Sequence, residues 1–198
     1  MIATMFSLDR ADCLAIDLKD AYSLHKTVYS LFPNEDGTTR DFLFADKGGD
    51  WNSRRILLLS QREPQQPQYG KIYSKKIPDA FLQFDHYGFE VVLNPTKRDG
   101  KTGKIIAVKG RENLLQWLIL KAPGFGFEVM PNSLQVNNIG VVSYEKNGAT
   151  CTHNTAIFIG KLKVIDRETF IKSFKQGIGR AKGFGFGLLQ IVPVDMNN

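Results

Sequence analysis

Apolar positions in the first third of the chain fall into a strand and then a helix. Residues 2–8 form a short apolar run that predicts an opening strand. Leu18, Ala21, Leu24, Val28, Leu31 and Phe32 then recur at spacings of three and four, which predicts a helix over 17–31 with one apolar face. Asp17 is its expected N-cap, Asp20 lies in its first turn, and Pro33-Asn34 ends it. Strands follow at 42–44 and 55–60 around the turn-rich Lys47-Gly48-Gly49-Asp50. Pro64-Gln65-Gln66-Pro67-Gln68 reads as a loop and 69–77 as a further strand.

Near Pro78 the pattern restarts, with strands at 88–93 and 104–108 around a basic loop and a helix over 111–121 stopped by Pro123-Gly124. Residues 129–143 and 155–164 are β-rich, separated by Lys146-Asn147-Gly148, where Asn-Gly is a hairpin cue. Asp166 caps a last helix over 167–176, Gly177 ends it, and 188–194 is the final strand. Each half therefore reads β-α-β-β-α-β, the ferredoxin-like unit of the α+β class. The expected organisation is tandem, with an N-terminal unit at 1–78 and a C-terminal unit at 79–198. The second helix of the first unit is the weak member, because 62–68 is polar and proline-rich. Lys121-Ala122-Pro123-Gly124-Phe125-Gly126-Phe127 resembles Ala181-Lys182-Gly183-Phe184-Gly185-Phe186, and both follow predicted helices.

Composition narrows the function. At 198 residues and 42 % hydrophobic content the chain can build packed cores, which excludes disorder as its main state. With 26 Lys+Arg against 20 Asp+Glu the formal charge is +6, favouring a polyanionic partner. The two cysteines, Cys13 and Cys151, are far apart and form no metal or disulfide framework. No signal peptide and no apolar run long enough for a bilayer is found, so a soluble, cytoplasmic protein without a membrane partner is expected. His25, His86 and His153 show no metal-ligand spacing, and paired carboxylates of the two-metal kind are absent. No metal or other cofactor is expected. Phosphodiester cleavage in such a chain would use RNA's own 2′-hydroxyl, with the protein supplying a base, an acid and charge stabilisation.

Three constellations suit that chemistry. Tyr22 and His25 are one turn apart on the first helix, roughly 60° apart around its axis, and Lys26 follows. His25 lies between the core face and the Tyr22/Tyr29 stripe, where an imidazole is partly desolvated and still reaches a ligand. Tyr22 can orient a 2′-hydroxyl or phosphate oxygen, and Lys26 can counter transition-state charge. The second constellation runs from Gly177 to Gly187, with Gly179, Arg180, Lys182 and Gly183 placing backbone N–H groups and cations where a phosphate can approach. It is neither a P-loop nor a dinucleotide fingerprint. The third is the stretch 97–111, where Lys97, Arg98, Lys101, Lys104, Lys109 and Arg111 against Asp99 concentrate a local charge of +5.

Taken together, Tyr22-Ser23-Leu24-His25-Lys26, Leu31-Phe32-Pro33, Arg40-Asp41-Phe42-Leu43-Phe44, Asn94-Pro95-Thr96-Lys97 and the segments 176–182 and 187–189 resemble the CasE family. These are the CRISPR repeat-processing endoribonucleases of Cascade-type systems, and the resemblance spans most of the chain in order. It implies tandem ferredoxin-like units of the repeat-associated RNA-binding group that cut precursor CRISPR RNA on the 3′ side of the repeat hairpin without metal. The 2′-hydroxyl attack leaves a 2′,3′-cyclic phosphate, and the protein stays on the mature crRNA beside other Cascade subunits. The family's catalytic histidine falls on His25, the tyrosine one turn earlier on Tyr22, and the glycine-rich loop on 177–187. Lys97, Arg98, Lys101 and Arg180 are carried over as hairpin-binding cations. Alternatives are a non-cleaving hairpin-binding subunit of the same fold and a ferredoxin-like RNA binder outside CRISPR systems. Against the last, no RRM aromatic string occurs, although Lys182-Gly183-Phe184-Gly185-Phe186 comes near it.

Overall fold

The computed structural model describes residues 1–33, 40–49, 53–146 and 149–195. The expected turn at Asn147-Gly148, and the ends of the segments closed by Asn34 and Asp50, lie outside the described residues. Two antiparallel sheets carry the fold. In the first, β1 (Ile2–Asp9) lies between β3 (Ser53–Ser60) and β4 (Lys71–Lys76), and β2 (Phe42–Asp46) flanks β3, giving the order β2-β3-β1-β4. In the second, β5 (His86–Leu93) lies between β10 (Ala149–Val164) and β11 (Gln190–Pro193), with β8 (Phe127–Val129) beyond β10. Numbered within its own unit, and leaving aside a fifth strand that also pairs with β10 in the second sheet, each sheet has the strand order 4-1-3-2 of the ferredoxin-like fold.

The first helix differs from expectation at its start. A six-residue helix, α1 (Arg10–Ala15), precedes it, closed by a capping box between Asp9 and Asp12. The longer helix, α2, spans Ala21–Ser30, and its N-cap is Asp20 rather than Asp17. Ser23 decides this: its N–H donates to Asp20 Oδ1 at 2.7 Å while its Oγ accepts from the Asp20 N–H at 2.9 Å. Asp17 sits outside the helix with φ of 54°. Ten residues are too few for a helix to persist alone in water. Leu24 and Val28 are buried against Phe6, Leu8, Phe32 and Phe44, and each contributes about 1.5–3 kcal/mol by leaving water.

No helix forms between β3 and β4. The loop over 61–70 instead ties back to α2, with the Gln65 N–H donating to the Leu31 carbonyl at 2.8 Å. In the second unit, α3 (Arg111–Lys121) and α4 (Arg167–Gln176) fall where the sequence places them. Asp166 caps α4 by accepting from the Thr169 N–H, and Gly177 ends it. β5 alternates strictly, burying Tyr87, Phe89, Val91 and Leu93 against Leu114, Leu118, Phe170 and Phe174. That core continues into the first sheet through Leu43, Ala45 and Leu59. Lys47, the residue after β2, also reaches Glu90 of β5 at 2.5 Å.

Three departures shape the site. β6 (Thr96–Arg98) and β7 (Ile105–Ala107) form a separate two-stranded hairpin, fastened where Trp117 Nε1 donates to the Thr96 carbonyl at 3.0 Å. β9 (Gln135–Lys146) begins later than the expected 129–143 stretch and β10 begins six residues before the expected 155–164, and the two make an arm running past the sheet toward α2. The repeated Gly-Phe segments end alike: 3-10 turns at Ala122–Phe125 and Lys182–Phe184 each finish at a left-handed glycine, Gly126 (φ 85°, ψ 14°) and Gly185 (φ 85°, ψ 13°), although they enter differently, with Ala122 right-handed and Ala181 left-handed. α3 ends at Lys121 as expected, and Pro123-Gly124 lies in the 3-10 turn that follows it.

Candidate active site

Burial of Leu24 and Val28 turns the neighbouring flank of α2, with Tyr22, His25 and Tyr29, toward the glycine-rich loop. Gly177–Gly187 divides by exposure: Gly179 and Arg180 form an exposed arch, Ala181 to Phe184 are half-buried, and Gly185 to Leu189 are buried. The half-buried turn meets α2. His25 Nδ1 lies 2.7 Å from the Gly183 carbonyl oxygen. A carbonyl only accepts, so Nδ1 carries the proton and the basic lone pair of the neutral ring is on Nε2.

Aromatic rings fix the same imidazole from several sides. Its centroid is 4.8 Å from Phe184 at 20°, 5.9 Å from Tyr22 at 13° and 4.0 Å from Tyr29 at 40°. Lys26 is exposed, with its ammonium 5.1 Å from the centre of the Tyr22 ring. Tyr22, His25 and Lys26 thus stand together at one end of α2. Phe186 is core, 3 % exposed, whereas Phe184 belongs to the site.

Two cations back the turn. Lys182 donates to the Gln176 carbonyl at 3.0 Å, and burial, with the positive charge of Arg40 second, lowers its pKa. Gly183 packs on the Arg40 guanidinium and the Tyr29 hydroxyl so closely that a Cβ would come within 3.1 and 3.2 Å of them. Arg180, by contrast, points into solvent with Gly179.

Lys97, Arg98, Lys101 and Lys104 are all exposed on the β6–β7 hairpin, where Arg98 donates to the Gly103 carbonyl at 2.6 Å and Asp99 accepts from Thr102. This hairpin is a sheet of its own, apart from the turn that holds His25. The two are linked through Asn94, two residues before β6, which is 3.3 Å from His153, whose ring lies 5.5 Å from Phe184.

Tyr144, His153 and Arg40 enter this neighbourhood although the sequence singles out none of them as functional. Tyr144 and His153 lie on facing strands around the Asn-Gly cue, so counting residue pairs back from that turn is the signal that could bring them together. Arg40 stands in one of the quoted motifs, but nothing local shows that it backs a loop 140 residues later.

Twice-repeated 4-1-3-2 sheets, with a histidine-bearing helix packed on a glycine-rich turn, define a tandem ferredoxin-like protein. Residues 4–193 match the family described as CRISPR associated protein, and the chain belongs to that family. It is 28 % identical over 186 residues to the CRISPR system Cascade subunit CasE of Escherichia coli (strain K12), covering 89 % of this chain and 94 % of that protein. It is 24 % identical over 194 residues to the CRISPR-associated endoribonuclease Cse3 of Thermus thermophilus, covering 89 % and 92 %. A solved structure of the CRISPR endoribonuclease Cse3 bound to a 19 nt RNA superposes with a TM-score of 0.84 at 23 % identity, covering 98 % of this chain and all of that one. Among the described residues no helix is long and apolar enough to cross a membrane.

Proposed function

We propose that this chain is a CRISPR RNA endoribonuclease that cuts the precursor on the 3′ side of the repeat hairpin without metal. The reading is supported by the His25–Gly183 contact, which joins the two constellations of the sequence into one site with a defined tautomer. His25 Nε2 takes the proton of the 2′-hydroxyl, the 2′-oxygen attacks the adjacent phosphorus, and the bond to the 5′-oxygen breaks. The leaving oxygen takes a proton from the Tyr22 and Lys26 side, and the product ends are a 2′,3′-cyclic phosphate and a 5′-hydroxyl. Lys26 offsets the charge gathering on the phosphorane.

In this reading the units divide into 1–78, with the catalytic helix, and 79–198, with the basic hairpin and glycine-rich loop. Lys97, Arg98, Lys101 and Lys104 track stem phosphates, and Gly179 and Arg180 meet the strand leaving the stem. Lys182 and Gly183 line the inner side of that contact, with the Gly183 carbonyl holding the imidazole. The naming of relatives as a Cascade subunit and an endoribonuclease supports retention of the cut RNA within a Cascade-type complex in the cytoplasm. The test is a repeat hairpin with a single 2′-deoxy nucleotide at the cut site: it should bind and stay intact, while the all-ribo hairpin is cut equally well with and without chelator. Cleavage of the deoxy substrate would exclude the 2′-hydroxyl route.

A further inference from the structure

The β9–β10 arm brings to the site a second set of groups that the reaction above does not use. Tyr144 on β9 pairs with Cys151 on β10, so His153 is its diagonal neighbour. Tyr144 Oη lies 3.0 Å from His153 Nε2, and Asn94 Nδ2 lies 3.3 Å from His153 Nδ1. An amide nitrogen only donates, so Asn94 donates to Nδ1 and His153 Nε2–H donates to Tyr144 Oη. Burial lowers the pKa of His153, which keeps the ring neutral as this chain of bonds requires, and burial pushes Tyr144 up to about 12.

What this chain holds in place is a ring. Tyr144 is 5 % exposed and stacks on Phe184 at 4.5 Å and on Tyr22 at 6.1 Å. Phe184 and Tyr22 are the two rings that stack on His25. His25, Phe184, Tyr144 and Tyr22 therefore close a circuit of four contacts, with interplanar angles of 20°, 24°, 10° and 13°. Two of the four rings come from α2, one from the glycine-rich turn and one from the arm. The arm's ring is the one fastened by hydrogen bonds to the second sheet.

We propose that Tyr144 is a positioning residue of the His25 site, held by His153 and Asn94, and that it fixes the imidazole through Phe184 and Tyr22 together. The proposal rests on the reading of His25 as the base. Tyr144 does not exchange a proton with the substrate. It limits how far the Phe184 turn and the Tyr22 ring can move, and a displacement of about 1 Å at a reacting group costs on the order of 100-fold in rate. His153 acts one step further back, so its loss frees the Tyr144 ring without removing it.

The experiment compares Tyr144→Ala, Tyr144→Phe and His153→Gln in single-turnover cleavage of a repeat hairpin, with binding measured separately. Ring ¹⁵N spectra of His25 are recorded in the RNA-free proteins. Tyr144→Ala should lower the rate constant at saturating RNA by about 10- to 100-fold, with Kd within about threefold of the parent, and should blur the Nδ1–H tautomer signal of His25. Tyr144→Phe and His153→Gln, which each keep the ring but break the Tyr144–His153 bond, should both show the same pattern as Tyr144→Ala with a smaller loss. If Tyr144→Ala fails to fold, His153→Gln carries the test, since it leaves every ring of the circuit in place. An unchanged rate, or a lost rate with a parent-like His25 spectrum, overturns the proposal. If His25→Ala itself still cleaves, the assignment of the base fails instead, and the ¹⁵N spectra still report whether Tyr144 positions the ring.

Discussion

His25 Nδ1 and the Gly183 carbonyl oxygen stand 2.7 Å apart although 158 residues separate them. This bond sets which imidazole nitrogen is basic, and it is made by a turn whose own geometry depends on left-handed residues at both ends, Ala181 (φ 60°) and Gly185 (φ 85°). A change that moves the Gly183 carbonyl should therefore be felt in the chemistry of His25, over and above any effect on binding.

Gly183→Val tests this directly. A Cβ there comes within 3.1 Å of the Arg40 guanidinium and 3.2 Å of the Tyr29 hydroxyl, and two further methyl groups leave no room without moving the turn. Cleavage at saturating RNA should fall at least about tenfold, in keeping with the cost of misplacing a reacting group. Thermal melting should stay close to the parent. A parent-like rate would show that the turn does not position His25.

The β6–β7 cations should behave in the opposite way. On the proposed reading, replacing Lys97, Arg98, Lys101 or Lys104 by Gln leaves one phosphate without its counter-charge. Affinity should then drop, and the slope of log K against log salt should flatten by about 0.7–0.9 for each cation replaced. The rate at saturating RNA should be unchanged, because these side chains stand on a hairpin apart from the turn that holds His25. A slope that stays at the parent value for all four would place the RNA elsewhere.

Local signals explain which parts of the fold are legible in the sequence. α4 is legible at both ends because Asp166 and Gly177 act within one turn of it, and β5 because its alternation survives intact. α1 buries none of its residues, so it leaves no periodic trace. The start of α2 falls three residues after the expected one because Asp17 precedes the first apolar position, whereas the capping box that Ser23 closes with Asp20 sets the actual start. At the site, the glycine-rich segment and the helix histidine are each visible as pieces. Their contact depends on how two sheets pack, and Tyr144 and His153 become neighbours only once the register of β9 on β10 is known.

The cap itself makes a pH-dependent prediction. The hydrogen bond from the Ser23 backbone, first among the causes, holds the Asp20 carboxyl below its ordinary value of 3.8. The folded state thus binds this proton less readily than the unfolded chain. The contribution of the cap is complete above that ordinary value and is lost as pH falls through the lower folded one. Asp20→Ala should cost about 1 kcal/mol in urea unfolding near neutrality. The gap between parent and variant should close in acid below the carboxylate range, and a gap that persists there would mean that the charge of Asp20 is not what caps α2.

In the proposed reaction, attack by the 2′-hydroxyl needs a base, and His25 is the residue assigned that role. Single-turnover cleavage of the cognate repeat hairpin by His25→Ala, with binding followed in parallel, tests it without intermediaries. Cleavage should be abolished while the hairpin is still bound with nearly parental affinity. A variant that binds and cuts at the parental rate would exclude His25 as the base.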